Sequence, residues 1–131
     1  MTDPRAWLDA VDARTNAATD GPWMTAPSKY VPGTYVHQDR PNGAPIIHAT
    51  AIKQPDAEFI ASARTDLPAA TTALRAVLDL ADMWDSRADH DLEALKTFPV
   101  EVQDALYGQA WDMKHKATYI RTAITTALED A

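Results

Sequence analysis

The sequence predicts an α+β fold that is predominantly helical: a long helical hairpin or small bundle, with a short antiparallel β-ribbon inserted after the first helix. Three observations carry this reading. From Pro55 onward, apolar residues recur at spacings of three, four and seven over two long stretches, as on the buried face of a helix. Residues 22–54 concentrate the prolines and glycines and hold two β-rich runs, "TYVH" and "APIIHATAI". The opening "TDPRAWLDAVDARTNAAT" begins with a helix-start signal. A chain of 131 residues is one domain's worth, and 1–131 is expected to fold as a single domain that buries roughly two-thirds of its unfolded surface.

The first helix is expected over 3–18. Asp3 can cap it and Pro4 can stand at its first position, where the missing N–H costs nothing. Trp7, Leu8 and Val11 then share a face, and Asp20-Gly21-Pro22 ends the helix, glycine accepting positive φ and proline ending the ladder. In the β-rich insert, 22–54, "DRPNG" between the two runs is a turn by composition, and a third strand is expected from Trp23. Across such a ribbon His37 and His48 could face each other, which would give two metal ligands at most; exposed histidines on strands and loops are the better reading. Two or three strands are not stable alone in water, so the ribbon must lean on helices.

A short helix is expected over 55–64, with Pro55 in its first turn, Asp56 and Glu58 at the positive end of its dipole, and Phe59, Ile60 and Ala63 on its apolar side. Asp66 then reads as the N-cap of a long helix, 66–88, with Pro68 in the first turn. Its seam is Leu67, Leu74, Val77, Ala81, Trp84 and Ala88. "DSRADHD" weakens this pattern and "KTFP" breaks it. A C-terminal helical region follows over 99–129, with Val102, Leu106, Met113, Ala117, Ile120 and Ile124 in near-heptad register. It either continues through Gly108 or bends there, at a cost of about 1 kcal/mol relative to alanine. The two seams should pack as an antiparallel hairpin. One hairpin leaves Trp84, Trp111 and Tyr119 short of cover, so a homodimer is expected.

Composition narrows the function. The net charge is −7, with 12 Lys+Arg against 19 Asp+Glu, and no basic stripe is present to supply the phosphate contacts that nucleic-acid binding needs. The chain has no cysteine, which removes thiolate metal sites, thiol nucleophiles and disulfides together. "MTDPRAWLDA" has neither the basic start nor the apolar stretch of a secretory signal. No run of apolar residues approaches the length of a membrane span. A cytoplasmic protein is expected, with neither nucleic acid nor membrane as partner and no cofactor.

Catalytic patterns are sparse. The histidines, His37, His48, His90 and His115, fit no zinc signature. Asp79, Asp82, Asp85, Asp89 and Asp91, with Glu101 and Asp104 as the best partners, could in principle gather carboxylates for Mg²⁺ in a metal-dependent hydrolase, but a solvated acidic face explains them better. Ser28, Ser62 and Ser86 lie in no nucleophile motif, and no glycine-rich phosphate loop occurs. The aromatic residues of the insert are more informative. Trp23, Lys29, Tyr30, Tyr35, His37 and Arg40, with Arg64 from the following helix, could form a face that stacks on a nucleotide base and pairs with its phosphate. The plainer alternative is that Trp23 and Tyr35 fill the gap between ribbon and helices. Arg64 either clamps Asp66, Asp56 or a carbonyl, or faces a ligand.

Two segments together, "RTNAATDGPW" (14–23) and "DAEFIASARTDLPAATTALRAVLDLADMW" (56–84), with the tail "IRTAITTAL" (120–128), resemble a group of small Ead-like proteins encoded by actinobacteriophages and prophages. That group shows an "AATPGPW"-like turn, a variable β-rich insert, a "DAxFIAxARTDLPALL" segment and an "IRxAIxxAL" tail. The matching motifs cover about half the chain, in order. The resemblance implies a phage-encoded accessory protein acting in the host cytoplasm; most of the group has no assigned function. Asp20 departs from the usual proline, and Ser62 stands where many relatives carry histidine, so chemistry resting on that histidine fails here. The expected function is therefore a non-enzymatic accessory binding protein acting on a host protein. A small-molecule sponge for a host defence nucleotide is the alternative, and the metal-dependent hydrolase a distant third.

Overall fold

The computed structural model describes residues 3–130, apart from the side chain of Ala51. Met1, Thr2 and Ala131, the ends of the expected 1–131 domain, lie outside the described residues. The elements are α1 (Pro4–Ala17), β1 (Met24–Pro27), β2 (Thr34–Gln38), β3 (Ile46–Ile52), α2 (Gln54–Leu95) and α3 (Val100–Glu129). The fold is α+β and predominantly helical, with a three-stranded antiparallel sheet after the first helix, followed along the chain by a long helix pair. Contacts divide the chain into two compact units. One holds Ala10–Thr71; the other joins the start of α1, up to Asp9, to the chain from Thr72 onward.

In the first unit the sheet runs in the order β1-β2-β3, both pairs antiparallel. Val36 at the centre of β2 is fully buried, and it joins Ala57 and Ala61 of α2 in a small core against which Trp23, Ala49, Ile52 and Ile60 pack. The small residues of "DAEFIASA" let helix and sheet approach closely, and the ribbon gains the helical support that an isolated one lacks. The third strand exists, beginning at Met24, one residue after Trp23. The turn at Asp20-Gly21-Pro22 works differently from the expectation. Among the described residues Gly33 is the glycine with positive φ, at 118°. Gly21 instead lies close to α2: a Cβ there would be 3.2 Å from Arg64 Cγ, so the arginine side chain would have to give by a few tenths of an ångström.

In the second unit α2 and α3 form the antiparallel pair. The last turn of α2 tightens as Thr97 and Phe98 donate to the carbonyls of Ala94 and Leu95 (3.1 and 3.0 Å), and α3 starts after Pro99. Ala81 and Ala88 on α2 and Ala110 and Ala117 on α3 are buried at seven-residue intervals, with Leu78 and Leu95 as the large apolar anchors. Alanine seams bring helix axes near the short end of the usual 8–10 Å range, so little large side chain fits between them. At the start of α1, Arg5 N–H donates to Asp3 Oδ1 at 3.0 Å, the expected cap.

The expected break between helices 55–64 and 66–88 is absent. One helix runs from Gln54 to Leu95 with Pro68 inside it and Asp66 within its turns, not at a cap. Proline removes one backbone bond, which costs about 3 kcal/mol in a helix interior. The seven-residue register that places Ala57, Thr71 and Leu78 on the buried face passes through Pro68 without a slip, so packing on both sides holds the helix together. Buried Thr71 donates its hydroxyl to Pro68 O at 3.0 Å. The expected seams hold at Ala81, Ala88 and Ala117, which are buried, but Leu78 takes the place of Val77, which is exposed, as are Leu67, Val102 and Leu106. The last helix passes through Gly108 unbroken.

Candidate functional site

The β1–β2 turn and the neighbouring sheet bring together three exposed apolar side chains of the first unit, Tyr30, Val31 and Ile47. The turn is a tight, hydrogen-bonded loop. Ser28 N–H donates to Gly33 O at 3.0 Å, and the N–H groups of Tyr30 and Val31 both donate to Ser28 Oγ at 3.3 Å. A serine hydroxyl in this position substitutes for backbone bonds and holds the turn shut. With the backbone held, the Tyr30 ring stands 95% exposed, and Val31 beside it is exposed as well. Ser28, Lys29, Tyr30, Val31, Tyr35, Ile47 and Thr50 line a concavity of ≈ 480 Å³. Tyr35 leans on His37, ring centroids 5.1 Å apart, and His37 Nδ1 lies 3.2 Å from Asp39 Oδ1.

The residues singled out from the sequence therefore separate. Lys29, Tyr30 and Tyr35 meet at this concavity, with His37 next to Tyr35. Arg40 sits exposed on the β2–β3 loop and is not among the residues lining it. Trp23 and Arg64 line a different, mostly apolar groove of ≈ 290 Å³ with Arg14, Phe59, Ile60 and Leu67. Within it, Arg64 Nε donates to Thr19 O at 2.8 Å, and its Nη2 is 3.9 Å from Asp20 Oδ1. Of the two roles open to Arg64, the carbonyl clamp is the one observed. Its acidic neighbour is Asp20, neither Asp56 nor Asp66. It ties the turn after α1 to α2, which a helix-to-helix reading of "ARTDLP" could not reveal.

Sequence reasoning missed Ile47, and strand register explains why. His37 pairs with Ile47 and Val36 with Ala49, so the ladder shifts between them and His48 is the extra residue. His37 and His48 do not face each other. His48 instead stacks on Trp23 (centroids 4.1 Å, planes 22° apart), with Nε2 3.3 Å from Thr19 Oγ1. Alternation alone cannot place a bulge. Trp23 thus packs on the core and on His48, the space-filling role weighed against ligand stacking.

The acidic series on α2 is also resolved. Arg5 Nη2 donates to Asp79 Oδ1 (2.9 Å) and Asp82 Oδ2 (2.5 Å), while Arg121 reaches Asp82 Oδ1 (2.7 Å) and Asp85 Oδ2 (3.1 Å). Lys114 bonds Asp89 and lies 3.6 Å from Asp85. Hydrogen bonds from Arg121 and then Arg5 hold the Asp82 carboxyl below its ordinary range. The same contacts raise Arg5 through Asp79 and Asp82, Arg121 through Asp82 and Asp85, and Lys114 through Asp89. These carboxylates serve as ion-pair partners, and among the described residues no group of three or more His, Asp or Glu is arranged to hold a metal ion. No helix among the described residues is long and apolar enough to cross a membrane. Comparison of the chain with protein-family models, with curated proteins and with solved structures returned no match.

Proposed function

We propose that the chain is a non-catalytic binding protein whose sheet face docks a partner protein. The observation that carries the reading is Tyr30, fully presented on a hydrogen-bonded turn beside Val31, Ile47 and Lys29 at the edge of a ≈ 480 Å³ concavity. Tyrosine is enriched among the few residues that dominate protein interfaces, because it brings a large rigid area and a polar tip. A rigid turn also lowers the ordering cost of association. Lys29 at the rim suits a partner with an acidic group next to an apolar or aromatic side chain. The resemblance to phage accessory proteins points to a host protein of the infected cell, met in its cytoplasm.

The test is retention of host proteins on the immobilised chain, compared with a Tyr30→Asp variant. Losing an anchoring aromatic costs about 2 kcal/mol, or roughly thirtyfold in Kd. A host protein held by the wild type and lost by the variant is the expected result; equal retention by both would place the contact elsewhere. A second reading, a sponge for a small host nucleotide, is favoured by the size of the concavity, which falls within the usual ligand range. With Arg40 and Arg64 elsewhere, Lys29 is the cation that remains for phosphate. Thermal stabilisation by cyclic or linear nucleotides, with no host protein retained, would turn the assignment to that reading.

A further inference from the structure

The groove between the end of α1 and the first turns of α2 shares no lining residue with the Tyr30 concavity. The spacing of α2 builds it. Phe59, Ala63 and Leu67 follow at four-residue intervals, so they form one row along the helix. Ala63 is the small residue between two large ones, which leaves the row hollow at its centre. Across from it, Thr15 of α1 and Ala18 after it are small as well, and the hollow between them measures ≈ 290 Å³. Phe59 is 75% exposed and Leu67 41% exposed, so apolar area stands open at its mouth.

Two guanidinium groups line this hollow, and no carboxylate does. Among the described residues Arg14 has no hydrogen-bond or ion-pair partner. Arg64 is held at Nε by Thr19 O, but its acidic neighbour, Asp20, stands 3.9 Å away with its side chain 99% exposed. A guanidinium has several N–H donors, so Arg64 keeps some for a further acceptor. In a chain of net charge −7, an apolar hollow lined by two under-compensated cations is a place of reversed sign. We propose that it binds a small amphipathic carboxylate, with the alkyl chain in the hollow between Phe59 and Leu67 and the carboxylate on Arg14 and Arg64. The planar fork of a guanidinium matches the two oxygens of a carboxylate. A volume of ≈ 290 Å³ lies at the lower end of ligand pockets, which suits a short chain. A nucleotide fits this groove less well. The lining residues carry no side-chain carboxylate or amide to accept from the amino group of a base or from ribose hydroxyls, and the Thr15 hydroxyl already donates to Val11 O at 2.9 Å. Those donors would be buried unpaired, whereas an alkyl chain asks for no partner.

Calorimetric titration with octanoate tests the proposal, with 1-octanol, octylammonium and adenosine monophosphate as comparison probes. Octanoate should bind saturably, with the negative heat-capacity change of apolar burial. Octanol keeps the chain and lacks the charge, so it should bind roughly tenfold more weakly, and octylammonium no better than octanol. Arg14 is exposed, so Arg14→Gln should keep the fold and lower octanoate affinity roughly tenfold while leaving octanol unchanged. Ala63→Leu should fill the hollow and abolish binding of both, with helical circular dichroism retained. Tyr30→Asp should bind octanoate as the wild type does, which separates failure here from failure of partner docking at the turn. No saturation below about 1 mM octanoate would overturn the proposal. So would equal affinity for octanoate and octanol, or an Arg14→Gln or Ala63→Leu variant that binds octanoate unchanged. Loss of octanoate binding in Tyr30→Asp would move the site to the sheet, and tighter binding of adenosine monophosphate than of octanoate would make the groove a nucleotide site; either result overturns it as well.

Discussion

The two flanks of the α2–α3 pair meet the same problem, the surface a two-helix hairpin leaves uncovered, in opposite ways. On one side the acids of α2 are clamped by cations: Arg5 on Asp79 and Asp82, Arg121 on Asp82 and Asp85, Lys114 on Asp89. Those cations come from the first turn of α1 and from α3, so the chain completes that flank itself. On the other side the row is Val77, Leu80 and Trp84 with Tyr119 and Ile120, and its charges pair only within their own helices. Composition is alike on the two flanks in one respect: neither carries a large uncompensated charge. They differ in what remains exposed, hydrated ion pairs on one and apolar area on the other. Only the second gives an incoming surface a hydrophobic gain.

Leu78 and Leu80 test this contrast most sharply, because they lie two positions apart on one helix. Leu78 is 3% exposed, and Leu78→Ala should cost about 3 kcal/mol through lost burial and the cavity left behind. Leu80→Ala should cost less than half as much, about 1 kcal/mol, since Leu80 is 38% exposed and its loss leaves little enclosed cavity. Urea unfolding of both variants at high dilution measures the difference. Equal losses would mean that the outward row is buried in the subunit, and the distinction between the flanks would fall.

How much of this was legible in the sequence depended on whether the signal was local. The α+β class, the cap at Asp3 and the helix start after Pro99 all follow from spacing and capping chemistry within a few residues. Pro68 was misread because a proline next to an aspartate looks like a helix start. The register that carries α2 through it, from Ala57 to Thr71 and Leu78, is visible only when burial over more than twenty residues is known. Ala81 and Ala88 fell on the seam as read, while Val77 was taken in place of its buried neighbour Leu78. At the sheet, composition singled out Lys29, Tyr30 and Tyr35, which line one concavity, whereas the place of Ile47 beside them depends on the bulge at His48. The ion pairs of Asp82 were out of reach, because Arg5 and Arg121 are distant in sequence and only the folded chain brings both to one carboxylate.

The charged flank should respond to pH and salt, and the sign follows from the carboxylate. Asp82 is held below its ordinary value of 3.8 by Arg121 and Arg5, so the folded form binds a proton less readily than the unfolded one. The stability this supplies is fully present above the unfolded value and disappears as pH falls through the lower folded value. Lys114 is raised from 10.5 by Asp89, so its contribution is complete below that value and is lost as pH rises through the higher folded one. Between these limits the flank should be insensitive to pH. Asp82 is about half exposed, 49%, so solvent screening limits Asp82→Asn to about 1 kcal/mol near neutrality. The loss should shrink in high salt and vanish in acid, as measured by urea midpoints at low and high ionic strength and at acid pH. A loss unchanged by either condition would mean that packing at Asp82, not charge, holds this flank.

Gly108 supplies the baseline against which both flanks are judged. It lies within α3, is exposed, and has no atom within 4 Å of where a Cβ would sit. Gly108→Ala therefore changes neither the ion pairs nor the apolar row. What it removes is the excess freedom of glycine in the unfolded chain and its poor helix propensity, so stability should rise by about 0.5–1 kcal/mol. The gain should be the same at low and high salt and at low and high protein concentration, since no charge and no intermolecular contact is touched. Dependence on salt would tie this turn of α3 to the charged flank, and dependence on protein concentration would show that an intermolecular contact reaches the start of α3. An independent gain leaves the two flanks as the places where α3 responds to its surroundings, one through ion pairs and the other through exposed apolar area.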